Sequence, residues 1–169
     1  MPAPDYFPLI AGRILEYRDE LEAGSSWKLE ILKTSATDKR TSARCRWTAE
    51  GPRGKRSWKT TLSRDGSWMR RGELFLPIPA ETLFPIPAAV GKKWRYGRWE
   101  YEVASLDAQV DLGPEAGVPT NISGCLLVAW HFDEGSGENY YAPGIGLVKA
   151  ASNDEQYPFS LLLRGFSDK

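Results

Sequence analysis

The chain is poor in the residues that carry most enzyme and metal chemistry. Its 169 residues include one histidine, His131, and two cysteines, Cys45 and Cys125. A single imidazole excludes a multi-histidine metal centre. Two thiols without CxxC spacing are too few for a disulfide framework, and the sequence leaves open whether Cys45 and Cys125 are bonded. The glycine spacing fits no phosphate-binding loop, and the GxSxG motif of serine hydrolases is missing. No apolar run approaches the roughly 20 residues of a membrane-spanning helix. The start, Met1-Pro-Ala-Pro-Asp5, has neither the basic nor the apolar region of a signal peptide. The expectation is a cytoplasmic protein on the printed chain, and a periplasmic or cell-surface one if a leader was removed. Net charge is also lacking: 22 basic and 22 acidic residues cancel, so overall charge points to no partner.

Aromatic residues are plentiful, with seven Trp, seven Tyr and six Phe. With 41% hydrophobic and 26% charged residues, the chain has material for a core and too much of it for disorder. Aromatics favour strands, and a period-two alternation runs through the sequence. Trp27, Leu29 and Ile31 alternate with polar residues. Cys45, Trp47 and Ala49 are predicted inward, with Arg44, Arg46 and Thr48 outward. Trp58, Thr60 and Leu62 share a face, and Asp65-Gly66 reads as a hairpin turn. Pro77, Pro79, Pro85 and Pro87 predict extended apolar connections over 74–90, because proline lacks the donor a central strand needs. Trp94, Tyr96, Trp99, Tyr101 and Val103 suggest one long strand with a bulge at Gly97. Leu126, Val128, Trp130 and Phe132 mark one face of a strand whose other face, Cys125 to His131, also looks covered. Residues 10–21 could form a helix, although the alternation of Ile14, Glu16 and Arg18 keeps a strand competitive. The sum is all-β: one domain over residues 1–169, a single antiparallel, strongly curved sheet or open barrel of about ten strands.

Two segments suggest a family. Asp5-Tyr-Phe-Pro-Leu9 with Gly12, and Tyr141-Ala-Pro-Gly-Ile-Gly-Leu-Val-Lys149, resemble the YFPL-x-x-G and YAPGVGLVK motifs of a group of uncharacterised bacterial β-sheet proteins. Val90-Gly-Lys-Lys-Trp94 is similar to a further element of that group, whereas Leu15 stands where Trp is usual. The resemblance implies a fold related to the curled sheets of lipoprotein carriers, in proteins that are often exported. It implies no activity.

No residue set points to catalysis, and no metal or cofactor is expected. His131 lies beside Asp133 and Glu134, but a lone histidine at a strand end is more often a surface residue. Gly144 and Gly146, around a turn, are expected to serve backbone geometry with φ > 0. The function expected is non-enzymatic binding of an apolar small molecule, lipid or peptide on a concave sheet face. Trp68, Tyr96, Tyr140 and Tyr141 are the candidates for its rim, since Trp and Tyr combine apolar area with a polar edge. The alternative is a structural or protein-interaction domain that docks through oppositely charged faces. Between Lys39 and Arg71 lie eleven Lys and Arg against Glu50 and Asp65, while acids dominate after Leu106. Nucleic acid is an unlikely partner, because alternation turns Trp47 away from Arg44 and Arg46.

Overall fold

The computed structural model describes residues 3–71, 82–114, 116–155 and 158–169. Among the described residues, twelve antiparallel strands form one barrel-shaped sheet. They are β1 (Ile14–Asp19), β2 (Ser26–Ala36), β3 (Arg40–Gly51), β4 (Gly54–Asp65), β5 (Trp68–Arg71), β6 (Thr82–Pro85), β7 (Lys93–Tyr96), β8 (Trp99–Asp111), β9 (Asn121–Phe132), β10 (Gly135–Ala142), β11 (Gly146–Ser152) and β12 (Phe159–Ser167). The order is β6-β5-β4-β3-β2-β1-β12-β11-β10-β9-β8-β7, so every neighbour is consecutive in sequence except β1 and β12. The barrel is open between β6 and β7. There Trp94 of β7 spans the slit, its indole Nε1 donating to the Thr82 carbonyl of β6 at 3.2 Å. Its ring stacks on Tyr101 at 5.5 Å and meets Trp68 edge-on at 5.9 Å. A side chain thus does at this seam what a backbone ladder does elsewhere.

Alternation builds the core as the sequence predicts. On β3, Cys45 and Trp47 are buried and Arg44 and Arg46 face solvent as expected, whereas Ala49 is half-buried and Thr48, expected outward, is buried with its hydroxyl against that of Ser57. Residues 14–19 are strand, not helix. Asp65 Oδ1 accepts the Ser67 and Trp68 amides at 2.7 and 2.9 Å, which makes the predicted turn after β4. Gly97 is no bulge. It opens a two-residue hairpin between Tyr96 and Trp99, with φ of +57° at Gly97 and no positive φ at Arg98, as a type II′ turn requires. This turn splits the expected long strand into β7 and β8. Leu83 to Pro85, expected in a connection, forms edge strand β6, the one kind of strand that tolerates proline. The companion expectation at Pro77 and Pro79 lies outside the described residues. Of the outward residues of β9, His131 is exposed and Leu127 and Ala129 are half-buried; a barrel strand has one wet face. Tyr101 and Trp130 belong to the core as their spacing suggests, whereas Trp94 and Trp99 are half-buried against it.

A continuous cluster of large buried side chains occupies the interior. Leu15, Leu29, Trp47, Leu62, Met69 and Tyr141 are wholly buried. Trp47 packs against Tyr17 and Trp27, and Tyr141 against Phe7 and Phe84. Close packing of this kind has a cost in freedom at Gly137, where a Cβ would lie 2.1 Å from the Trp130 ring.

The entry to β1 and the C-terminal tail meet at one end of the barrel. The Lys169 amide donates to the Gly12 carbonyl, and Ile14 faces Ser167 across the β1–β12 ladder. Arg13, 4% exposed, holds this end together. Its Nε and Nη2 donate to the two carboxylate oxygens of Asp168 at 2.7 and 2.9 Å. Its Nη1 donates to the carbonyls of Gly144 and Ile145 at 2.6 and 3.2 Å. The Tyr-Ala-Pro-Gly-Ile-Gly run is therefore a β10–β11 turn gripped by an arginine. Gly144 and Gly146 have φ of +76° and +122°, as expected of turn glycines.

Candidate functional site

The segment before β1 crosses this same end of the barrel. Asp5 Oδ1 accepts the Phe7 amide at 3.1 Å, and the Gly144 amide donates to the Asp5 carbonyl at 2.8 Å. That anchoring drops Phe7 into the barrel mouth, 1% exposed, with its ring against Gly146 and Tyr141. The Asp5 carboxylate forms an ion pair with Arg64 of β4.

Between this segment and the β6–β7 connection lies a cleft of about 260 Å³. Phe84, Pro85, Ile86, Pro87 and Ala88 form one wall, with Leu106 of β8 beside them. Ala3, Pro4 and Tyr6 form another, and Asp5 and Arg64 stand at the edge. The prolines explain the opening. A chain that lacks amide donors at Pro85 and Pro87 cannot continue the ladder, so it leaves β6 and runs out along the rim. The site is thus apolar, with one ion pair as its polar feature. Burial, with Cys125 and Asp107 nearby, raises the pKa of the Tyr6 hydroxyl, which stays a neutral donor at physiological pH. Elsewhere, two hollows of about 110 and 210 Å³ flank Trp27, and charged residues such as Glu50, Arg56 and Lys28 line them.

The four aromatics expected at a ligand rim keep different company. Trp68 is half-buried against Trp94, with the Lys92 ammonium over its ring. Tyr96 is exposed at the β7–β8 hairpin and stacks on Trp99. Tyr140 lies on the outer wall, half-buried, and its hydroxyl donates to Glu138 at 2.7 Å. Burial first, then that carboxylate, pushes its pKa up to about 12. Tyr141, expected at the mouth, is instead wholly inside, and burial raises its pKa well above the ordinary tyrosine range. Tyr140 and Tyr141 are neighbours on β10, so alternation turns their rings to opposite faces; the register shift beside them is taken up on β11, where Val148 is the extra residue. The cleft joins residues about 80 positions apart in the chain, so no local pattern reports it. The one sequence signal for it is the apolar, proline-broken run from Phe84 to Ala88.

The titratable side chains that line the cleft are Asp5, Tyr6 and Arg64. His131 Nε2 lies 3.2 Å from Glu100 Oε2 across the strands, on the exposed outer wall, and not beside Asp133 or Glu134. Asp111 caps the turn at Gly113. Among the described residues, no group of three or more His, Cys, Asp and Glu side chains is placed to hold a metal ion. Cys45 and Cys125 are free and buried, and burial pushes their thiols up to about 12 and about 11.

No protein-family model and no curated protein sequence matches the chain. Solved structures do. A predicted exported protein with a YmcC-like fold from Bacteroides fragilis superposes with a TM-score of 0.67, over 98% of this chain and 100% of that one. The chain shares that protein's fold. A predicted lipoprotein from Parabacteroides distasonis superposes with a TM-score of 0.55, over 99% of this chain and 100% of that one. Each is 12% identical to this chain, a level at which the likeness speaks for architecture. The expected kinship with bacterial exported or lipoprotein-like β proteins therefore agrees with these neighbours at the level of the fold.

Proposed function

We propose that the protein is a non-enzymatic binding module, and that the apolar part of its ligand, a lipid chain or an apolar peptide segment, occupies the cleft beside the N-terminal segment. The observation that carries this reading is the apolar, proline-walled cleft of about 260 Å³ at the mouth of a barrel that buries large side chains inside. The large side chains buried inside, such as Trp47 and Tyr141, favour the rim over the concave face as the ligand's place. The Asp5–Arg64 pair at the edge suits a ligand with an apolar body and a polar end. The exposed, solvent-screened setting of His131 supports binding over catalysis. The exported and lipoprotein classes of the two structural neighbours make action outside the cytoplasm part of the proposal.

The test is a screen with fatty acids, detergents and an environment-sensitive dye, run on the parent and on Ala88→Trp, which fills the cleft. Saturable binding by the parent that the variant loses supports the assignment. Equal binding by both would move the site elsewhere, and no binding by the parent would end the reading.

A further inference from the structure

The outer wall of β2, β3 and β4 has charges that the protein itself does not balance. Lys33 faces Arg44 across one ladder, and Arg46 faces Lys59 across the next. Like charges set directly opposite in a sheet are destabilising. Glu30 answers part of this, pairing with Arg46 at 3.0 Å and Lys28 at 3.5 Å. Among the described residues, Lys33, Arg44 and Lys59 have no ion pair. The register also shifts between Ile31 and Lys33, and Leu32 at that shift is 42% exposed within the basic wall. In the strand order, β3 and β9 are six positions apart, which in a twelve-stranded barrel sets them on opposite sides. The side that holds β8 to β10 has no Lys or Arg between Trp99 and Ala142, and its Glu100, Glu102 and Glu138 include two carboxylates already paired, Glu100 with Arg95 and Glu102 with Lys93 of β7.

We infer that the β2–β4 wall docks on an anionic lipid bilayer surface. A basic wall with a projecting leucine matches what an anionic interface attracts: cations at the headgroups and an apolar side chain at the acyl boundary. The strands opposite carry no Lys or Arg between Trp99 and Ala142, so the attraction comes from the β2–β4 side and orients the barrel. Single-stranded nucleic acid would need aromatic faces among the cations. Here Trp47 is wholly buried and Trp58 shares its inward face, so the wall offers phosphate contacts without stacking. This surface is independent of the cleft proposed above.

The experiment is co-sedimentation of the intact protein with phosphatidylcholine vesicles, with and without phosphatidylglycerol. Binding is expected only with phosphatidylglycerol, and it should weaken as salt shortens the screening length to about 8 Å at physiological ionic strength. Arg44→Gln with Lys59→Gln should lower partitioning about 25-fold, at roughly fivefold for each basic residue near the surface. Leu32→Ser should weaken it further at constant charge. Thermal unfolding checks that these exposed changes leave the fold intact. Equal sedimentation with neutral vesicles, full binding by the Arg44/Lys59 variant, or equally tight binding of an oligonucleotide at the same salt would each overturn the assignment.

Discussion

Replacing Arg13 by alanine should destabilise the protein more than any other single loss of a charge. The side chain is buried, yet four of its hydrogen bonds join three parts of the chain: the entry to β1, the β10–β11 turn and the C-terminal tail. Three contributions are lost together. The bidentate pair with Asp168 is modest, about 1 kcal/mol, because the carboxylate side chain is 44% exposed. The carbonyls of Gly144 and Ile145 lose a charged donor, which costs about 1–2 kcal/mol. The guanidinium also leaves the Phe166 ring, 5.5 Å away, and its stem leaves a packed site, for about 1 kcal/mol more. The expected total is about 3–4 kcal/mol, or a fall of roughly 10 °C in Tm for a domain of this size. Urea unfolding followed by tryptophan fluorescence measures it. Asp168→Asn should cost about 1 kcal/mol or less, since the guanidinium keeps its carbonyl partners. The two variants also differ in their pH dependence. The hydrogen bond from Arg13, aided by its charge, holds the Asp168 carboxyl below the usual range. A depressed folded pKa adds stability that is complete above the unfolded value of about 3.9 and is lost as pH falls through the folded value. The gap between parent and Asp168→Asn should therefore close in acid, while the gap to Arg13→Ala keeps its carbonyl part. An Arg13→Ala protein within about 1 kcal/mol of the parent would refute the clasp.

Three further outcomes follow from packing. Gly137→Ala should lower stability by about 3 kcal/mol or prevent folding, because the new methyl would overlap both the Trp130 ring and the Ala151 carbonyl; a thermal melt equal to the parent's would contradict it. Trp94→Ala should cost about 2–3 kcal/mol and speed amide exchange in β6 and β7 beyond other strands, since the indole bridges the slit; uniform exchange across the sheet would count against that role. Cys45 and Cys125 should resist an aromatic disulfide reagent at pH 8 in the native protein and react in denaturant, because burial keeps both as thiols. Rapid native labelling would show that they are accessible.

The fold was largely legible in the residues because a barrel imposes the period-two pattern on every strand. Cys45 and Trp47 inward with Arg44 and Arg46 outward, and the turn at Asp65-Gly66, follow from spacing alone. The strand count of about ten fell short of twelve where strands are brief: β6 and β7 have four residues each, too few for alternation to register. Gly97 was ambiguous for a related reason, since a bulge and a two-residue turn both break parity and both use a positive φ. The candidate site was much less legible. Tyr140 and Tyr141 are neighbours on one strand, so alternation sends one out and the other in, and the two cannot share a rim. Arg13 carried no signal either, because its partners Gly144 and Asp168 lie 131 and 155 residues away.

The adjacency of the first and last strands has a kinetic consequence. Strands β1 to β6 and β7 to β12 each pair in sequence order, and contacts between consecutive strands close small stretches of chain, cheaply and fast. The two runs share one backbone ladder, β1 with β12, and its partners, such as Tyr17 and Leu163, are separated by most of the chain. Its closure has the highest entropy cost of any pairing in the sheet. Folding therefore has a natural last step: two six-stranded meanders, already formed by local contacts, meet when the chain ends come together, and Arg13 locks behind them.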